Sequence, residues 1–128
     1  MLLKQVQFTF KYPKKLTDTD KRFVAIKDKI NKIDDAIQND LEHIDEYIDF
    51  DSHINWLLAH ELLGTADGSG SNMFFYQYDM SPISKLKMGP LWDFDSTLSM
   101  VTNRHSSFWY YESTYLPFLL KSPKFIYS

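Results

Sequence analysis

Met73-Phe74-Phe75-Tyr76-Gln77-Tyr78, followed after a short gap by Lys85-Leu86-Lys87-Met88-Gly89-Pro90, decides the fold of this chain. The first run is rich in aromatic residues, which favour a pleated, half-buried surface, and reads as a strand. Asp79-Met80-Ser81-Pro82 supplies turn chemistry. Lys85-Leu86-Lys87-Met88 alternates polar and apolar residues, the two-residue period of a second strand. Gly89-Pro90 ends it. The two runs make a β-hairpin.

Outward from the hairpin the pattern changes to helical spacing. Phe23, Ile26, Ile30, Ile33 and Ile37 recur at three- and four-residue steps, which predicts an amphipathic helix over about residues 18–39, with Thr17 as its N-cap. Lys27, Lys29, Lys32, Asp34 and Asp35 are read as its solvated face. Asp40 to Tyr47 reads as a short helical turn, and Val6 to Phe10 as a short strand or extended entry. Asp51 or Ser52 can cap a second helix with an apolar stripe of Ile54, Leu57, Leu58 and Leu62, widened by Trp56 and Leu63 and stopped by Gly64. Being apolar nearly all round, that helix is expected at the centre. The aromatic stretch from Phe108 ends in a short helix near Tyr115–Lys121. The fold class is therefore α+β: two principal helices packed against a β-hairpin.

The 128 residues suit one domain. Acidic and basic residues are interspersed and sum to −3, so no field gathers nucleic acid or an anionic membrane. The absence of cysteine excludes disulfides and thiolate metal sites. No apolar run approaches the roughly 20 residues of a membrane helix, so no membrane span is expected. Met1-Leu2-Leu3-Lys4 is charged too early for a signal peptide.

Two segments carry chemistry. Asp67-Gly68-Ser69-Gly70-Ser71-Asn72 precedes the hairpin, and Asp93-Phe94-Asp95 follows it. A hairpin with an acidic group before it and another after it can bring the two together. Asp93 and Asp95, two apart on extended backbone, point the same way, and two like charges side by side favour a cation between them. Phosphoryl transfer uses such a set: one carboxylate to orient or deprotonate the attacking hydroxyl, and oxygen ligands to hold Mg²⁺ against the nucleotide phosphates. Asp67 and Asn72 are five positions apart, as are the catalytic Asp and the metal-binding Asn of protein kinases, and Asp93-Phe94 keeps two letters of the Asp-Phe-Gly motif. Gly68 and Gly70 do not make a phosphate loop, because no Gly-Lys-Ser/Thr follows, and Thr65 and Tyr76 stand where a calcium loop needs Asp and Glu. His43, His53, His60 and His105 lack metal-ligand spacing and are read as structural. Glu61, on the apolar helix, faces either the loop or solvent.

The run from Tyr47 to Trp56, then Glu61-Leu62, Asp67, Asn72 and Tyr76, then Gly89-Pro90-Leu91-Trp92-Asp93-Phe94-Asp95 resembles the CotH kinase family, atypical protein kinases named for a spore-coat protein. The likeness extends from about residue 10 to 125. It implies that Asp67 is the catalytic Asp, Asn72 a metal ligand, Asp93 the principal metal-binding carboxylate, and Asp95 a second ligand or a structural partner. It implies Mg²⁺ and ATP as cofactors, bound weakly or not at all by this portion alone, a protein Ser or Thr hydroxyl as acceptor, and a secreted or cell-surface bacterial setting. The chain departs from the family pattern at Thr65, where Asn is usual, and in Ser96-Thr97-Leu98-Ser99-Met100, which lacks a Gly. No Gly-rich phosphate loop precedes residue 10. The expectation is a partial atypical kinase-like domain: the C-terminal, metal-binding portion, inactive without the N-terminal nucleotide-gripping part. Two other readings stand beside it. One is a non-catalytic interaction module or pseudokinase. The other is a nucleotide-sugar transferase using Asp93-Phe94-Asp95 as its Asp-x-Asp motif.

Overall fold

The computed structural model describes residues 8–63, 72–95 and 116–128. Helix α1 spans Lys21–Asn39, and a 3₁₀-helix follows at Leu41–Glu46. Helix α2 runs Phe50–Leu63, strands β1 and β2 are Phe75–Tyr76 and Lys87–Met88, and two short helices close the chain, α3 at Leu116–Leu119 and α4 at Pro123–Ile126. The strands pair antiparallel, Phe75 opposite Met88 and Tyr76 opposite Lys87. The architecture is the expected α+β one, helices against a hairpin, with shorter strands than composition suggested.

The core is built where α1, the 3₁₀-helix, α2 and the hairpin meet. Ile33, Ala36 and Ile37 of α1, Ile44, Ile48, Trp56 and Leu57, and Leu86 and Met88 of the hairpin are all buried. Helices α3 and α4 add Leu116, Leu119 and Phe125. The α1 stripe read from the sequence faces this core, with Ile26 and Ile30 packed at its edge and Phe23 against Phe10 at 5.5 Å. Each of these side chains leaves water on folding, worth about 1.5–3 kcal/mol when complete.

Four details differ from the sequence reading. The cap of α1 is Asp20, not Thr17: its carboxylate accepts from the Arg22 backbone N–H at 2.8 Å and from the Arg22 guanidinium at 2.7 Å. The cap of α2 is Asp49, not Asp51 or Ser52. Lys29 and Asp34 do not lie on a solvated face; both are buried. The hairpin turn covers that flank of α1, and Lys29 Nζ donates to the Pro82 carbonyl at 2.6 Å while lying 5.9 Å from the centre of the Tyr47 ring. Burial, with Lys32 nearby, lowers the Lys29 pKa. Finally, α2 is central and buries Trp56 and Leu57 of the expected stripe, but His53 and His60 face inward with them, whereas Leu58 and Leu62 are 60% and 84% exposed.

Candidate functional site

The site is assembled by the N-terminus of α2 gripping β2. Asp49 accepts from the backbone N–H of Ser52 at 2.9 Å, the bond that satisfies an orphan donor of the first turn. Burial alone would raise the Asp49 pKa, but the Ser52 hydrogen bonds and the Lys87 ammonium, 3.3 Å away, outweigh it and hold the carboxyl below the usual range. The Ser52 hydroxyl donates to the Asp49 carbonyl at 2.9 Å and accepts from the Met88 backbone N–H at 3.1 Å. One residue upstream, Ile48 and Leu86 form a parallel bridge, with Leu86 N–H on the Tyr47 carbonyl and Asp49 N–H on the Leu86 carbonyl, at 2.8 and 2.9 Å. Residues 86–88 are thus clamped to α2 on the approach to Asp93.

His53 sits within this clamp. Its Nδ1–H donates to the Asp49 carbonyl at 2.8 Å, which fixes the tautomer. The ring is fully buried, and desolvation pushes its pKa down to about 4 despite the nearby Asp49. It is therefore a neutral structural group near neutral pH.

Beyond Met88 the hairpin closes at its mouth. Gly89 N–H donates to the Phe74 carbonyl at 2.6 Å, and a Cβ on Gly89 would meet Phe74 Cβ at 2.7 Å. Only glycine admits so close an approach without displacing backbone. The Phe74 and Trp92 rings then meet edge to face, 6.4 Å apart at 89°. Phe74 lies two residues after Asn72 and Trp92 one residue before Asp93, so the two segments share the hairpin mouth. Asn72 and Asp93 are half-buried and Asp95 is exposed. Asp93 adopts φ 61°, a left-handed conformation that Asp enters more readily than most non-glycine residues, so it does not lie on the extended backbone from which it and Asp95 were expected to point the same way. Such conformations persist where the surroundings over-determine them and cluster at functional sites.

Phe94 completes the geometry. Its ring stacks on His60 of α2, centres 4.9 Å apart and planes 26° apart, and His60 packs in turn on Trp56 at 4.1 Å. Both are buried. This layer was not read from the sequence, although Trp56 and His60, four apart on α2, share one face with His53. Glu61 is half-buried.

Asp67, the expected catalytic residue, lies outside the described residues, as does His105. Among the described residues no three His, Asp or Glu side chains gather as a metal-holding group, and no helix is long and apolar enough to cross a membrane. By residue type Asn72, Asp93 and Asp95 fit Mg²⁺: two carboxylates and an amide are hard oxygen ligands of the kind that ion takes.

A family model described as CotH kinase protein matches residues 3–119. No curated protein and no solved structure matches the chain.

Proposed function

The chain belongs to the CotH kinase family, and from that premise we propose that it serves the transfer of the ATP γ-phosphoryl group to a Ser or Thr hydroxyl of a protein. In this reading Asp93 is the principal carboxylate for Mg²⁺, with Asn72 and Asp95 completing the oxygen set, and Asp67 orients or deprotonates the attacking hydroxyl. Bound Mg²⁺ would neutralise charge on the transferring phosphates. The chain's own work is positioning, which dominates phosphoryl transfer. The reading takes residues 1–128 as the C-terminal, metal-binding portion of a single kinase domain, the α- and β-phosphates being gripped by an N-terminal lobe.

The observation that supports it most is the state of Asp93. Its backbone is held in a left-handed conformation between two anchored aromatic rings, at the mouth of the hairpin that Asn72 begins.

The test uses the parent protein with labelled ATP and a Ser/Thr-containing acceptor. Asp67→Asn is expected to cut turnover by roughly 10²–10⁴-fold, the range for a general base, while nucleotide still binds. Asp93→Ala is expected to weaken Mg²⁺ and ATP binding together. Undiminished turnover in Asp67→Asn would remove the catalytic assignment. Absence of both cation binding and transfer in the unaltered protein would move the chain to the interaction-module reading, and Mn²⁺-dependent binding of a sugar nucleotide would move it to the transferase reading.

A further inference from the structure

The Asp93-Phe94-Asp95 segment carries its carboxylates on backbone that forms no regular element. Something other than a strand or helix must set their direction. On one side Trp92 rests edge-on against Phe74, which Gly89 holds through its backbone. On the other side Phe94 lies flat on His60. His60 belongs to α2, is itself fully buried, and is backed by buried Trp56. Asp93 stands between these two anchors with its uncommon positive φ.

We propose that His60 is the positioning residue of the metal-binding segment: its ring seats Phe94 and so sets the direction in which Asp93 presents its carboxylate to a divalent cation. This rests on the metal-binding reading given above. The mechanism is geometric. If the His60 ring is removed, Phe94 loses its flat support, the dihedral angles around it relax, and Asp93 leaves the left-handed conformation. The ligand is then present but misaimed. Residues that hydrogen-bond a ligand change metal affinity by about 10–100-fold without touching the ion, and His60, one step further out, should act at the lower end of that range. The role needs a flat ring of about this size, so a phenyl group should fill it and an aliphatic or small side chain should not.

The experiment titrates the full chain with Mn²⁺, comparing the unaltered protein, His60→Phe and His60→Ala, with circular dichroism to establish that each is folded. His60→Leu replaces the alanine variant if the latter does not fold, since it fills volume without a ring. Loss of about tenfold or more in Mn²⁺ affinity in the alanine or leucine variant, with His60→Phe close to the unaltered protein, is the expected result. Equal affinity in all three overturns the proposal, and so does an equal loss in His60→Phe, which would place the role in the imidazole nitrogens. If the unaltered chain binds no Mn²⁺, the result agrees with the weak or absent binding expected of a partial domain. Amide hydrogen exchange then decides the positioning claim. Faster exchange at Asp93 and Phe94 in the ringless variant, with α1 amides unchanged, upholds it; unchanged exchange there overturns it.

Discussion

Acidification should destabilise this protein through His53 before its surface carboxylates are exhausted. The ring is fully buried, donates Nδ1–H to the Asp49 carbonyl, and has its pKa pushed from 6.5 to about 4 by desolvation. The unfolded chain binds a proton near pH 6.5 that the folded chain refuses until about pH 4. Between those values the unfolded state carries more protons, so stability falls as pH falls. From about pH 7.5 to about pH 5 this one group removes about 2 kcal/mol, and about 3 kcal/mol once both states are protonated. Asp49, held below the usual carboxylate range, adds a loss of the same sign at lower pH. His43 works the other way: its hydrogen bond to Asp40 raises its pKa, giving stability present below about 6.5 and lost as pH rises. That pair is exposed and salt-screened. Urea denaturation at the two pH values, in about 0.5 M salt to suppress surface pairs, should show the midpoint falling by about 1 M. His53→Gln, which keeps an N–H donor and does not titrate, should lose most of that pH dependence. An imidazole resonance of His53 titrating near 6.5 in the folded protein, or the same acid loss in His53→Gln, would refute the reasoning.

Three further outcomes follow from the geometry. Gly89→Ala places a methyl 2.7 Å from Phe74 Cβ and 3.0 Å from its carbonyl oxygen, and should cost about 1–3 kcal/mol by forcing the hairpin mouth apart, read as a lowered thermal midpoint. Asp49→Ala removes the α2 cap and the Lys87 partner, an expected loss of about 1–2 kcal/mol in urea denaturation, whereas Asp51→Ala, outside the cap, should cost less. Ser52→Ala leaves the Met88 N–H without its acceptor and should cost about 1–3 kcal/mol, with faster hydrogen exchange at Met88.

What was legible in the sequence follows from periodicity. The α1 stripe from Phe23 to Ile37 repeats at helical spacing, and the helix lies there. The hairpin was legible in its aromatic run and alternating partner, but the ladder contains only the pairs Phe75–Met88 and Tyr76–Lys87, because strand ends depend on neighbours that composition does not encode. The buried face of α2 was legible only in Trp56 and Leu57. Hydropathy favours Leu58 and Leu62 over His53 and His60, yet the histidines are inside, because Asp49 gives His53 a partner and Phe94 gives His60 a ring to stack on. The burial of Lys29 was hidden for the same reason: its partner, the Pro82 carbonyl, is 53 residues away. Asn72, Asp93 and Asp95 were picked out as oxygen donors by residue type and order. The positive φ at Asp93, and the aromatic layer beneath it, belong to tertiary structure alone.

The Lys29–Pro82 clasp also bears on the order in which the molecule assembles. A contact between groups 53 residues apart closes its loop at an entropic cost that local helix formation does not carry. Helix α1 can form early from neighbouring residues, whereas the hairpin turn reaches Lys29 only after α2 and β2 have met. A contact formed after the transition state for folding is felt, when lost, in the reverse rate. Lys29→Met should therefore leave refolding speed nearly unchanged and accelerate unfolding, making this lysine a determinant of the native lifetime.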